Sequence, residues 1–450
     1  MVFKKRILAI AIPAIVIISS TQVVMAETLR EVVATTVKTH PEVLIKSSIR
    51  NASNEEVAMA RSGFYPSIDI NAGYGREEAL NFNSNFNQDT LWRRDLGINA
   101  RQPIFDGMFA INEVKRTKAK TNADALRVLG TAQDQALAAV QSYLDVLRNQ
   151  ELVAVARKNL GVHDSTFSMV KHLSEQGVGR EADTEQTTGR VDLARANLKS
   201  AENNLMNAKI TFQRVTGVTP HHLEPAPDVS ASALPRTENE ALQNALANHP
   251  TLKSANADII QARGQYDSAK AKFYPKIDLV LSGTQSRNVG GARGPDVDRL
   301  AQLQLNYNIL QGGKDIAYTR ETAYQVVQAT EIRNRAEYQT REQIKLSWEA
   351  YQNTQARIPL LKAHTQAALS TSGSYKRQFQ LSKRTILDVL DSQNEYYTAE
   401  QDLINERYSL LLAKYRILNS EGKLVEYLGV ALPAEATVPY KDCTVSPFKV

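Results

Sequence analysis

Asp388 and Asp391 are the residues of this 450-residue sequence that come closest to a reactive pair. Three apart on a helix, they share one face. Two neighbouring carboxylates suggest general acid–base work, which also needs a group to place the substrate between them. One helix brings no other catalytic group beside them, and a solvated helix face is the plainer reading. Nothing elsewhere supplies chemistry: there is no Gly-rich phosphate loop, no HExxH and no nucleophile elbow. The seven histidines are scattered. His163 and His172 lack metal-ligand spacing, and His221-His222 fall in a proline-rich stretch where exposed histidines are the ordinary expectation. The sequence therefore predicts no enzyme, no cofactor and no metal.

The elements around these residues begin with an address. Lys4, Lys5 and Arg6 precede an apolar run from Ile7 to Ile18, and Val24-Met25-Ala26 ends it in a small-x-small pattern. This reads as a signal peptide over 1–26, cleaved before Glu27. The run is too short for a span of about 20 apolar residues, and no later segment approaches that length, so no transmembrane helix is expected. The formal charge of +6 includes the three basic residues of the signal, which leaves 51 basic against 48 acidic residues, or +3. That balance predicts no nucleic-acid partner. Cys443 is the single cysteine and cannot close an internal disulfide. Position 27 is Glu rather than Cys, so no lipid is expected on the new N-terminus.

The rest of the chain is one unit written twice. His40-Pro41 recurs as His249-Pro250 and Phe64-Tyr65-Pro66 as Phe273-Tyr274-Pro275, 209 residues on. The same shift carries Thr28-x-x-Glu31 onto Thr237-x-x-Glu240, each read as a capping box. Beyond that the shift becomes 205: Phe105-Asp106-Gly107 falls on Leu310-Gln311-Gly312, Asp183 on Asp388, and Gly217 on Gly422. The copies are 27–217 and 237–429. A linker over 218–236 holds four prolines, and an irregular tail follows from 430 to 450.

After each Tyr-Pro the hydrophobic period becomes two. Ile68, Ile70, Ala72 and Tyr74 alternate with polar neighbours, as do Leu96, Ile98 and Ala100, then Ile277, Leu279 and Leu281, then Leu303, Leu305 and Tyr307. Runs of about ten residues with one apolar and one wet face suit tilted membrane strands. They form hairpins over 66–104 and 275–309 with long polar loops. A membrane sheet must close, because an open edge leaves backbone unpaired in hydrocarbon. Four strands cannot close. Two chains would give eight strands with a filled interior, and three would give twelve with a lumen. Three chains are expected.

Between the hairpins the pattern is helical. Leu126, Leu129, Gln133, Ala136, Val140, Tyr143 and Leu147 follow 3-4 spacing. So do Val191, Ala194, Leu198, Ala201, Leu205, Ala208, Phe212 and Val215. Such seams predict coiled-coil packing. The helical hairpins run over 107–216 and 312–422, turning near Gln176-Gly177-Val178-Gly179 and Ser382-Lys383. Their first arms would reach about 100 Å at 1.5 Å per residue. Pro359 is expected to kink or interrupt the second of these.

The duplicated His-Pro and Phe-Tyr-Pro blocks, the paired hairpins and the run from Lys383 to Asp391 together resemble the TolC-family outer-membrane factors, to about Gly429. The fold class implied is an α+β membrane protein. In it a trimeric transmembrane β-barrel with four strands per chain continues into a long periplasmic α-helical barrel. The resemblance implies a homotrimer in outer-membrane lipid that docks a periplasmic adaptor (membrane fusion) protein and an inner-membrane transporter. Its function would be a passive exit duct for efflux or type I secretion, with a slight lean to the secretion or general-exit branch. At the periplasmic tip the family pattern places Asp388 and Asp391 in a ring of six carboxylates that selects cations. It also makes Arg384 and Asp183 a latch holding the entrance closed. Phe379 stands where the family commonly has a tip tyrosine, which removes a hydroxyl from that latch. The alternative is a soluble periplasmic coiled-coil adaptor or scaffold without pore activity.

Overall fold

The computed structural model describes residues 27–80, 82 and 89–441. The expected signal peptide and Cys443 lie outside them. The chain runs α1 (Leu29–Thr39), α2 (Pro41–Ser62), β1 (Ser67–Ala79), β2 (Asp89–Phe105), α3 (Phe109–Glu175) and α4 (Glu181–Thr216). It then repeats as α5 (Glu238–Asn248), α6 (Pro250–Lys270), β3 (Lys276–Arg287), β4 (Pro295–Asn306), α7 (Lys314–Gln380) and α8 (Ile386–Ser420), followed by the short α9 (Leu424–Tyr427). The long arms α3 and α7 are 67 residues each, about 100 Å of helix.

The duplicated motifs are element boundaries. His40 and His249 are the N-caps of α2 and α6. Each ring Nδ1 accepts from a backbone N–H, that of Glu42 at 3.2 Å and that of Thr251 at 3.3 Å. The following proline sits at the first helical turn, where no intrahelical donor is needed. Thr28 and Glu31 form the full capping box. Its counterpart is only half made. Thr237 accepts from the Glu240 amide, but the Glu240 carboxylate reaches one residue further back, to the N–H of Arg236 at 2.9 Å.

All four strands form one antiparallel sheet in the order β1-β2-β3-β4, with β2 and β3 joining the two hairpins and β1 and β4 left as edges. The β2–β3 register slips between Pro103 and Phe105, where Pro103 has no N–H to donate. The turn into α3 uses Gly107 at φ +71°, and a Cβ there would meet the Ala271 carbonyl oxygen at 2.6 Å. Only glycine satisfies both conditions.

The first half of α3 packs on α2 and α6, through Lys120 with Glu56 and Arg127 with Asp258. Its second half packs on α4 and α8, through Tyr143 on Phe212 and Lys158 with Glu400. Between these halves lies the main core, where α1, α5, α9 and the 218–236 segment close around α3, with α7 and α8 on the flank. The seam on α4 faces inward as its spacing predicts. The middle of α3, by contrast, is buried well beyond one stripe, with Ala123, Ala125, Val128, Ala132 and Ala139 all inaccessible. Several elements share this burial: α2 and α6 pack on the first half of the helix, and Leu223, Val229 and Leu234 of the linker join the core around Ala132 and Ala139, so the segment is a strap rather than a tether.

Helix α7 runs unbroken through Pro359. The proline and Gln355 are both exposed, so the carbonyl that loses its donor can turn to water. The segment after Gly429 is irregular but docked. Asn122 holds the Tyr440 backbone at both its N–H (3.1 Å) and its C=O (2.7 Å), and the Tyr440 hydroxyl meets Asn54.

Candidate functional site

Two ends of the molecule are built for contact with something other than this chain. The first is the sheet. Register places Ile68, Ile70 and Ala72 opposite Ala100, Ile98 and Leu96 on one face, with Tyr74 diagonal to Trp92, and the face continues through Leu279, Leu281, Leu303 and Leu305. Most of these side chains are exposed in one chain, Leu303 and Ile70 each by 71%. An exposed face of this size has to be covered. The opposite face is polar, and its charges pair with one another: Arg93 with Asp95 at 2.9 Å, and Arg101 with Asp278. Aromatic rings border the apolar face. Tyr74 stacks on Trp92 at 5.3 Å near the hairpin loops, while Tyr65, Tyr274 and Tyr307 stand exposed near the helices. The nine steps from Tyr65 to Tyr74, tilted about 40°, give a height of about 23 Å, matching the roughly 25 Å apolar band of membrane barrels. No helix among the described residues is long and apolar enough to cross a membrane.

The second end is the far tip of the helical hairpins. Helix α3 turns into α4 through Gly177 at φ +76°, and α7 into α8 through Ser382 at φ +55°. Val170, Ile386, Val389 and Leu390 form a small buried cluster there, against which Tyr375 and Phe379 pack. The phenylalanine at 379 is thus a core contact of the tip, which needs no hydroxyl.

Asp388 lies in the first turn of α8 and completes a capping box with Thr385. Its carboxylate accepts from the Thr385 N–H (3.1 Å) and hydroxyl (2.9 Å), while its own N–H donates to the Thr385 hydroxyl oxygen. Those hydrogen bonds, with Arg384 at 3.7 Å, hold the Asp388 carboxyl below the usual carboxylate range. Asp391, one turn on, is exposed and pairs with Arg190 of α4 at 3.0 Å. Arg384 lays its guanidinium over the Tyr375 ring, 4.4 Å from the centroid, and donates to Gln378. Asp183 sits in the first turn of α4, where a carboxylate suits the helix dipole. Within one chain Arg384 is therefore brought to Asp388, and Asp391 to Arg190, but Arg384 is not brought to Asp183. Arg190 and Tyr375 are tip residues that sequence reasoning missed. Thr385-x-x-Asp388 repeats the signature already read at Thr28 and could have been found.

Just above the tip, His163 is buried with its Nδ1 unpartnered, and burial lowers its pKa. Thr166 accepts from Gln393 beside it. His221 and His222 are exposed, as expected for that stretch.

This geometry can be set against known proteins. The model of the outer membrane efflux protein family matches residues 40–218 and 241–423. The chain is 24% identical over 420 residues to the outer membrane efflux protein BepC of Brucella suis, covering 92% of this chain and 90% of that one. It is 25% identical over 419 residues to the outer membrane protein TolC of Vibrio cholerae, covering 90% and 92%. Among solved structures, the Campylobacter jejuni CmeC outer membrane channel superposes with a TM-score of 0.78 at 13% identity, over 88% of this chain and 86% of that one.

Proposed function

The chain belongs to the outer membrane efflux protein family, and from that premise we propose that three copies close one barrel and one helical tunnel, gated at the periplasmic tip. The protein is an outer-membrane channel of the efflux or type I secretion kind, not an enzyme. The observation that carries the trimer is the open sheet: two free edges, β1 and β4, on a sheet with one apolar face. In a bilayer those edges have to pair. Three chains give twelve strands and a lumen, whereas eight strands would leave an interior just filled by side chains. The helical hairpins hanging from such a barrel extend it as a duct, and a duct needs its energy from elsewhere. An inner-membrane transporter and a periplasmic adaptor are the partners that would supply and couple it.

The test is recovery and conductance. Purified from membranes in detergent, the protein should insert into planar bilayers as a pore and have the mass of three chains. Recovery as a soluble periplasmic oligomer without conductance would instead support the adaptor or scaffold reading.

At the tip, threefold symmetry would gather Asp388 and Asp391 into a ring of six carboxylates. It would also offer Arg384 a second acid, Asp183, on a neighbouring hairpin. Arg384→Ala removes both the cation–π contact with Tyr375 and any such latch. Its expected result is a larger fraction of time in the conducting state, read from single-channel records. An unaltered closed state would remove Arg384 from the gate.

A further inference from the structure

The two faces of the sheet treat their arginines differently. On the polar face, Arg93 and Arg101 pair with carboxylates. On the apolar face, each strand carries one arginine toward its loop end: Arg76, Arg94, Arg287 and Arg299. All four are exposed, and none pairs with a carboxylate of the described residues. Arg94 and Arg287 lie directly opposite each other across the β2–β3 ladder. Like charges so placed repel, and neither has a carboxylate partner among the described residues. Arg76 is diagonal to Arg94, because Tyr74 is the residue paired with Arg94.

Immediately toward the helices from Arg94 and Arg287, the same face has a groove of about 380 Å³. Ile70, Leu96, Ile98 and Val297 wall it, Gly283 lies in its floor, and Arg299 stands at its rim. The groove exists because Gly283 has no side chain. A Cβ there would meet only Ile98 Cγ2, at an ordinary 3.6 Å, so neither strain nor crowding demands glycine.

A cationic row above an apolar groove, on the lipid-facing side and at the outer end of the strands, fits one kind of molecule. We propose that this face binds a phosphate-bearing glycolipid of the outer leaflet. Its phosphates lie between Arg94 and Arg287, with Arg76 diagonal to them, and one acyl chain fills the groove over Gly283, beside Arg299. Guanidinium groups hold phosphate oxygens bidentately, and the bound anions turn the Arg94–Arg287 repulsion into a shared attraction. The inference rests on the closed-barrel reading, which turns this face outward.

The experiment uses the full-length protein, stripped of lipid in detergent and offered bisphosphorylated lipid A or its fully dephosphorylated form, with retained lipid counted by native mass spectrometry. The wild type should retain the phosphorylated form at least about tenfold better, a contrast set by charge-assisted hydrogen bonds. Equal retention of the two forms would overturn the proposal without recourse to any variant. Arg94→Gln with Arg287→Gln should lose most of that preference. Gly283→Leu, which leaves the charge unchanged and fills the groove, should lower retention of both forms; unchanged retention in both variants would also overturn it. Conductance measured on the same wild-type preparation separates the readings. A conducting pore without lipid preference sinks only this site, whereas a missing pore sinks the channel.

Discussion

Alanine at both Asp388 and Asp391 is expected to weaken block of the pore by a trivalent cation, added from the periplasmic side, by about two orders of magnitude. In water a trivalent ion about 8 Å from one carboxylate gains ~1.5 kcal/mol before screening, and salt at physiological strength removes more than half of that. Six carboxylates restore the sum to several kcal/mol, so the block should also fade as salt rises. The pairings inside one chain sharpen the expectation. Asp391 shares its charge with Arg190 at 3.0 Å, so Arg190→Gln should tighten the block. Asp388 has a second duty as the capping partner of Thr385, and removing it also weakens the α8 N-terminus. Asp388→Asn, which loses the charge but keeps an acceptor, separates the two roles. The pH dependence has a definite sign. Hydrogen bonds from Thr385 lower the Asp388 pKa, so its share of the block persists below the ordinary carboxylate range near ~4. That share is lost only as pH falls through the lowered value. Block unchanged in the double alanine variant, in a planar bilayer titration, would remove the ring from the account.

What could be read in advance, and what could not, follows from the range of each interaction. The repeat, the strand alternation and the α4 seam are local patterns, and the fold places them as their periods require. His40-Pro41 and His249-Pro250 were legible as matching blocks, and their matching role as helix caps needed only the next two residues. The tip pairings were not legible in this way. Asp391 and Arg190 are 201 residues apart, and only the packing of α8 on α4 brings them together. The breadth of burial on α3 was hidden for the same reason, since α6 packs on it from the second repeat, and Leu223, Val229 and Leu234 come from a stretch whose prolines suggest exposure. Pro359 misleads in the opposite direction. Proline removes a hydrogen bond anywhere in a helix, but its cost depends on whether water reaches the freed carbonyl, and that depends on tertiary exposure.

Tyr143→Ala is expected to be the most destabilising single change in the chain, by about 3–5 kcal/mol, the range for emptying a large buried aromatic site. The Tyr143 ring is fully buried, with its centroid 6.3 Å from that of Phe212 on α4. Its hydroxyl lies 2.9 Å from the Glu27 carbonyl oxygen and 2.6 Å from that of Glu224. Those two carbonyls belong to the start of the described chain and to the strap between the repeats, which themselves pair through an isolated parallel bridge. One side chain in the middle of α3 thus joins the first repeat, the strap and α4. Tyr143→Phe tests the polar part alone. It keeps the ring and leaves the Glu224 carbonyl without its donor, while the Glu27 carbonyl keeps the Glu224 N–H at 3.2 Å, an expected cost of about 1–3 kcal/mol. Hydrogen exchange should then rise over residues 223–234 before it rises elsewhere in the helices. Guanidinium unfolding of the detergent-solubilised protein, followed by helical circular dichroism, gives both magnitudes. If Tyr143→Ala cost less than about 1 kcal/mol, the core around α3 would be able to collapse into the vacated space, and the junction would not depend on this residue.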